Sequence, residues 1–313
     1  MFTLLNSVYF AQPFVQYAPL TAGYGLEPST STCSMIRNSL LSAPMTWYFN
    51  RNELTFSTVV GQQDYPTAIT GNDFSFIEKV TLTDDQGNVF ELKDSFNNTA
   101  LAVSAFKQRP NACAAQKVYY TTGTQYVSFR FLGVPDQVYT VTVTYQKLQP
   151  QFGPFTITSA ANASGGNTTY TGVFDPYSLP AGSPVVVTGF PVALAVNNGT
   201  FSAVSCSATS LVLSNAAGVA GSAFAFAVNI SWAPIPDSFS DIFNNLYLSE
   251  MLAVNDDARA QLYRARGIAA FLAKSSGLSE MQRNVFLQQW QARGMQAQSA
   301  VQMIQTGNQG RTI

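Results

Sequence analysis

Apolar and polar residues alternate with period two along several stretches before residue 150. Tyr139, Val141, Val143 and Tyr145 alternate with threonines, and Val127, Phe129 and Phe131 alternate with Ser128 and Arg130. Leu54 and Phe56 stand two apart within residues 53–59. A strand sends successive side chains to opposite faces, so each pattern predicts a strand with one buried face. Residues 61–66 read as a turn. Residues 76–82 and 89–92 predict two strands around Asp84-Asp85-Gln86-Gly87-Asn88, where Gly87 sits at a hairpin position that needs positive φ. The expectation is an antiparallel sheet or small sandwich over residues 47–148.

Residues 150–230 are rich in Gly, Ser, Asn, Thr and Ala, and no Lys or Arg occurs between Lys147 and Arg259. Short strands are predicted at 155–158, 169–174, 184–189, 200–204, 211–214 and 224–230. Asn197-Asn198-Gly199-Thr200 carries a type I′ hairpin signal. This segment reads as a small β-sandwich inserted in a loop.

After Ala233-Pro234-Ile235-Pro236-Asp237 the period changes to that of a helix. Phe239, Ile242, Phe243, Leu246 and Tyr247 recur at i, i+3, i+4, with Asp237 or Ser238 as N-cap, and this helix is expected to run to about Val254. Asn255-Asp256-Asp257 opens a second helix, with Leu262, Ala265, Ala269 and Leu272 on one face and Lys274 and Gly277 near its end. Ser279-x-x-Gln282 is a capping box for a third, in which Val285, Phe286, Gln289, Trp290 and Arg293 lie on adjacent turns. Toward the start, residues 28–42 predict a short helix, with Met35, Ile36, Ser39 and Leu40 at helical spacing.

The fold class expected is α+β: an antiparallel β domain and a C-terminal α-helical module, with an inserted small β-sandwich. The divisions are an extended N-terminal arm (1–26), a helix plus antiparallel β domain (27–149), the insert (150–231), the helical module (232–293) and a C-terminal tail (294–313).

Composition narrows the function. The chain has 313 residues, 46% hydrophobic and 13% aromatic, which suffices for two or three cores. Only 11% are charged, below the roughly 25% usual for soluble domains. Such a surface suits a protein that buries much of itself against partners. The net charge of −1 provides no general attraction to nucleic acid or an anionic membrane. No apolar run reaches the ~18 residues needed to span a bilayer, and the opening, broken by Gln12 and Pro13, is not expected to be a signal peptide.

Histidine is absent, which removes His-based acid/base chemistry, Ser-His and Cys-His nucleophiles and the common zinc sites. Cys33, Cys113 and Cys206 are widely spaced and read as reduced thiols. The sequons at Asn97, Asn162, Asn167, Asn198 and Asn229 are expected by chance in so Asn-, Ser- and Thr-rich a chain. Asp84-Asp85 and Asp256-Asp257 read as a turn and a cap, and Phe90 breaks the Ca²⁺-loop pattern begun by Asp84, Gln86 and Asn88. No phosphate-binding, dinucleotide or nucleophile-elbow motif occurs, so no enzyme and no cofactor is expected.

The candidate partner-binding residues lie in the C-terminal part, which holds seven basic and six acidic residues from Asp237 onward. Arg259, Arg264 and Arg266 cluster on the second helix, and Arg293 and Arg311 lie further on. They read either as a solvated, ion-paired face or as arginines that meet carboxylates of a partner. Met295, Val301, Met303, Ile304 and Ile313 are spaced apolar residues in a Gln-rich tail, suited to folding onto a partner.

The order of these motifs carries a resemblance. Trp47-Tyr48-Phe49-Asn50-Arg51, then 54–65 (Leu-Thr-Phe-Ser-Thr-Val-Val-Gly-Gln-Gln-Asp-Tyr), Ile235-Pro236-Asp237-x-Phe239 and Asn255-Asp256-Asp257-Ala258-Arg259 resemble the head-to-tail adaptor (connector, or tail-tube A-like) proteins of short-tailed bacteriophages. The resemblance covers about residues 27–148 and 232–295. The segment 156–230 looks like the small β-domains inserted in phage structural proteins, and it departs from the minimal adaptor pattern.

The resemblance implies a ring, commonly of twelve copies, at the head-tail joint of the virion, made in the host cytoplasm. Its partners would be the portal protein ring, a nozzle or tail tube protein and further copies of itself. DNA would pass through the lumen without specific binding, and the low charge suits a channel that must not grip phosphates. The alternative is a receptor- or glycan-binding tail component acting through the inserted domain. It predicts Tyr170, Phe174, Tyr177 and Phe190 on an exposed surface.

Overall fold

A computed structural model describes residues 29–69, 73–94, 106–121, 124–149, 155–187, 189–230, 235–253 and 257–292, together with Phe10, Ala11 and Phe14. The fold is α+β, with antiparallel sheets and a C-terminal helical module. The chain divides into two compact units, Thr46–Gln149 and the combination of Met1–Met45 with Pro150–Ile313.

The described residues of the unit Thr46–Gln149 form eight strands: β1 (Arg51–Ser57), β2 (Asp64–Ile69), β3 (Phe74–Thr83), β4 (Val89–Glu91), β5 (Lys93–Asp94), β6 (Ala112–Thr121), β7 (Thr124–Leu132) and β8 (Thr140–Lys147). They form two four-stranded sheets, ordered β1-β8-β3-β4 and β2-β7-β6-β5, and among the described strands of these sheets only β5 and β6 pair in parallel. Val127, Phe129 and Phe131 of β7 and Val141, Val143 and Tyr145 of β8 join one buried core with Tyr65, Phe74 and Val80, as alternation requires.

Two strands depart from the sequence reading. Residues 64–66 begin β2 rather than end a turn. Pro66 fits because β2 is the edge strand of its sheet, where a missing N–H is tolerated. In the β2–β7 register Asp64 stands opposite Arg130, whose Nε lies 2.5 Å and Nη2 2.7 Å from the carboxylate oxygens. β6 lacks alternation because Ala112, Cys113 and Ala114 are all buried, with a register shift between Ala115 and Lys117. The Asp84–Asn88 loop is the expected hairpin: Gly87 has φ 82°, and the Asp84 carboxylate accepts from the Gln86 and Asn88 amides.

The other unit contains a small β-barrel and the helices. β9 (Phe155–Ala160), β10 (Thr168–Val173), β11 (Pro184–Val187), β12 (Gly199–Cys206), β13 (Ser210–Leu213) and β14 (Gly221–Ile230) fall where six strands were expected. They close into a barrel of order β10-β13-β12-β11-β14-β9 rather than an open sandwich, because β9 pairs with both β10 and β14. A bulge at Thr171/Gly172 bends β10, and a Cβ on Gly172 would meet the Thr156 carbonyl at 2.0 Å.

The Asn197-Asn198-Gly199-Thr200 hairpin is also corrected. A 3₁₀ turn over Val192–Asn197 precedes β12, and both asparagines work through their side chains. Asn198 Nδ2 donates to Phe190 O (2.9 Å) while its Oδ1 accepts from Phe190 N (2.9 Å). Asn197 does the same with Val219, through contacts of 2.8 and 3.2 Å. Each side-chain amide thus makes the paired donor and acceptor contacts of a strand bridge.

The helices are α1 (Ser29–Leu41), α2 (Ser240–Ala253), α3 (Arg259–Lys274) and α4 (280–292). α1 packs on the C-terminal helices rather than grouping with the sandwich that follows it, so the grouping differs from the 27–149 division. Trp290 Nε1 donates to Ser39 Oγ (3.2 Å), and Gln282 Nε2 donates to Pro44 O (2.5 Å). Phe10 and Ala11 are helical rather than extended, Phe14 lies in a turn, and the rest of the arm reading lies outside the described residues.

Candidate partner-binding surface

α2 is the centre of the bundle. Ile242, Phe243, Leu246, Tyr247, Leu248, Met251 and Leu252 are all buried, which makes it a helix covered nearly all round. α3 runs back along it: Lys274, at the end of α3, binds the Asp241 carboxylate at the start of α2. Asp257 opens α3 by accepting from Arg259 N at 2.8 Å. α4 starts with the expected capping box, in which Ser279 N donates to Gln282 Oε1 (2.8 Å) and Gln282 N to Ser279 Oγ (3.3 Å). Phe271 and Phe286 stack at 3.7 Å between ring centroids, joining α3 to α4.

The structure supplies the orientation of α3, which the sequence reading left open. The face turned inward is Ala260, Arg264, Gly267 and Phe271. The stripe Leu262, Ala265, Ala269 and Leu272 is exposed, with Leu262 at 50% and Leu272 at 44%. At ~100° per residue the stripe spans an arc of about 80° on the opposite side of the helix. Two features bring the polar-looking face inward. Gly267 permits close approach to Leu246, and Arg264 pairs with Glu250.

The candidate arginines separate accordingly. Arg264 departs from the expected surface role: it is 5% exposed, and its Nη2 lies 3.1 Å from Glu250 Oε1. Arg259 is exposed and is held by Asp257, whose carboxyl it keeps below the usual carboxylate range. Arg266 is exposed, with its guanidinium 5.3 Å from the Tyr263 ring centroid. Tyr263 also meets Phe14 at 5.8 Å between centroids, a contact no sequence signal pointed to. Arg293, Met295, Val301, Met303, Ile304, Arg311 and Ile313 lie outside the described residues.

The aromatic set that the glycan alternative places on a surface is mostly internal. Tyr170, Phe174 and Phe190 are buried in the barrel, and Tyr177 is half-buried. Among the described residues no three Cys, Asp or Glu side chains come together as a metal-binding group. Among the described residues, too, no helix is long and apolar enough to cross a membrane.

No model of a known protein family matches the chain, and no curated protein matches it.

Proposed function

We propose that the chain is a structural virion protein, a head-to-tail adaptor. Copies of it form a ring, taken here as a dodecamer, between the portal and the nozzle or tail tube. The ring completes the DNA exit channel at the head-tail joint, and its role is assembly rather than catalysis. The reading rests first on the motif order, from Trp47 through Asp237 to Arg259.

The observation that carries it is the state of the helical module opened by Ile235-Pro236-Asp237. It is filled inside by Ile242, Phe243, Leu246, Phe271, Phe286 and Trp290, yet it leaves Leu262, Leu272 and Met281 in water. An apolar surface that the fold does not use supports a docking role.

The test is co-sedimentation of the full chain with its portal ring, alongside a chain lacking residues 294–313. Binding by the full chain and weaker binding by the shortened one is the expected result. A chain with no affinity for the portal ring would sink the proposal.

A further inference from the structure

α3 turns the face with Arg264 and Gly267 inward and leaves its apolar stripe outward. The inward face meets α2 and α4 through Gly267 and Phe271. On the outward face, Leu262 and Leu272 stand ~15 Å apart along the axis at 1.5 Å per residue. Between them Ala265 and Ala269 are exposed, leaving a shallow trough walled at its ends by leucines. Small residues at the centre of a seam let another helix approach closely and seat large side chains there.

One edge of the trough bears Arg259 and Arg266, two helical turns apart, and the other bears Gln261. Arg259 is held by Asp257, whereas Arg266 has no carboxylate partner among the described residues. Antiparallel pairing of α3 with its own copy would set this cationic edge against itself. Parallel pairing would set it against Gln261 and leave Arg266 without a carboxylate. In neither arrangement does a second copy offer Arg266 a carboxylate, so the charge pattern favours an anionic neighbour.

We propose that the outer face of α3 docks a helix of a different protein, whose apolar seam is bordered by carboxylates on the side facing Arg266. The inference deepens the docking role above, and rests on it only in taking the occupant to come from another protein.

The test uses the full chain and two hydrocarbon-stapled synthetic helices of about 18 residues, long enough to cover the trough at 1.5 Å per residue. Both have a leucine seam, one flanked by glutamates and the other by lysines, and binding is read by fluorescence anisotropy. The glutamate helix is expected to bind about tenfold or more tightly than the lysine helix. Ala269→Glu should abolish that binding while leaving circular dichroism and the melting temperature unchanged, and Arg266→Glu should reverse the preference.

Equal binding of the two helices, or unchanged binding by Ala269→Glu, overturns the proposal. A concentration-dependent dimer in sedimentation that Ala269→Glu dissolves gives the face to a second copy instead. Tighter binding of the glutamate helix after deletion of residues 294–313 gives it to the chain's own tail. Failure of the portal ring to bind the full chain, with these helix results intact, would remove the head-to-tail reading and leave this surface assignment standing.

Discussion

Gly267 of α3 lies directly against Leu246 of α2: a Cβ placed on Gly267 would sit 2.7 Å from the Leu246 side chain. Alanine improves intrinsic helix propensity by about 1 kcal/mol, but overpacking a filled core costs about 1–3 kcal/mol. Gly267→Ala is therefore expected to lower stability by about 1 kcal/mol, read from the midpoint of urea unfolding. A higher midpoint would contradict the close helix approach.

Arg264 and Glu250 form, among the described residues, the one ion pair whose cation is buried between α2 and α3, with side chains 6% and 17% exposed. Arg264 Nε and Nη1 meet no acceptor among the described residues, so the pair is incompletely satisfied. Arg264→Met, which removes the cation from the Glu250 carboxylate, should cost about 3 kcal/mol. The double variant Arg264→Met/Glu250→Leu should recover most of that loss. A double-mutant cycle with additive losses would remove the ion pair from the account.

Asn198 closes the Phe190 peptide by both a donor and an acceptor contact. Asn198→Ala removes both of these contacts and should cost about 2 kcal/mol. Amide exchange at Phe190 should accelerate while exchange elsewhere in the barrel changes less. Unchanged protection at Phe190 would contradict the bridge.

The thiols make a prediction in pH. Burial raises Cys33 and Cys113 above the ordinary thiol value, and Cys206 is pushed up to about 12 by burial and by Asp175. Because the folded values are raised, the associated stability is complete below the unfolded value of about 8.5 and is lost as pH rises toward the folded ones. At pH 8 all three thiols should react slowly with an aromatic disulfide reagent in the folded chain and rapidly in urea. Fast titration of Cys206 in the native state would contradict its placement.

How far the sequence reaches depends on what periodicity encodes. Alternation finds β7 and β8 because each has one buried and one wetter face. It misses β6, where a run of small residues is buried without alternation, and β2, where Pro66 imitates a turn. The six short strands of residues 155–230 are visible, but barrel closure is not, since it is a property of which edges pair. The α3 stripe is the sharpest case. Spacing shows that Leu262, Ala265, Ala269 and Leu272 share a face, but not which face turns inward. Arg264 and Gly267 decide that, one by finding Glu250 and the other by having no side chain to obstruct Leu246. Apolar spacing thus located the candidate surface without saying which way it points.

The head-to-tail proposal is tested most directly by negative-stain electron microscopy of the full chain mixed with its portal ring. The account predicts a ring of added density on one end of the portal, with the subunits arranged about the portal axis. Bare portal rings beside free chain at saturating concentration would contradict it.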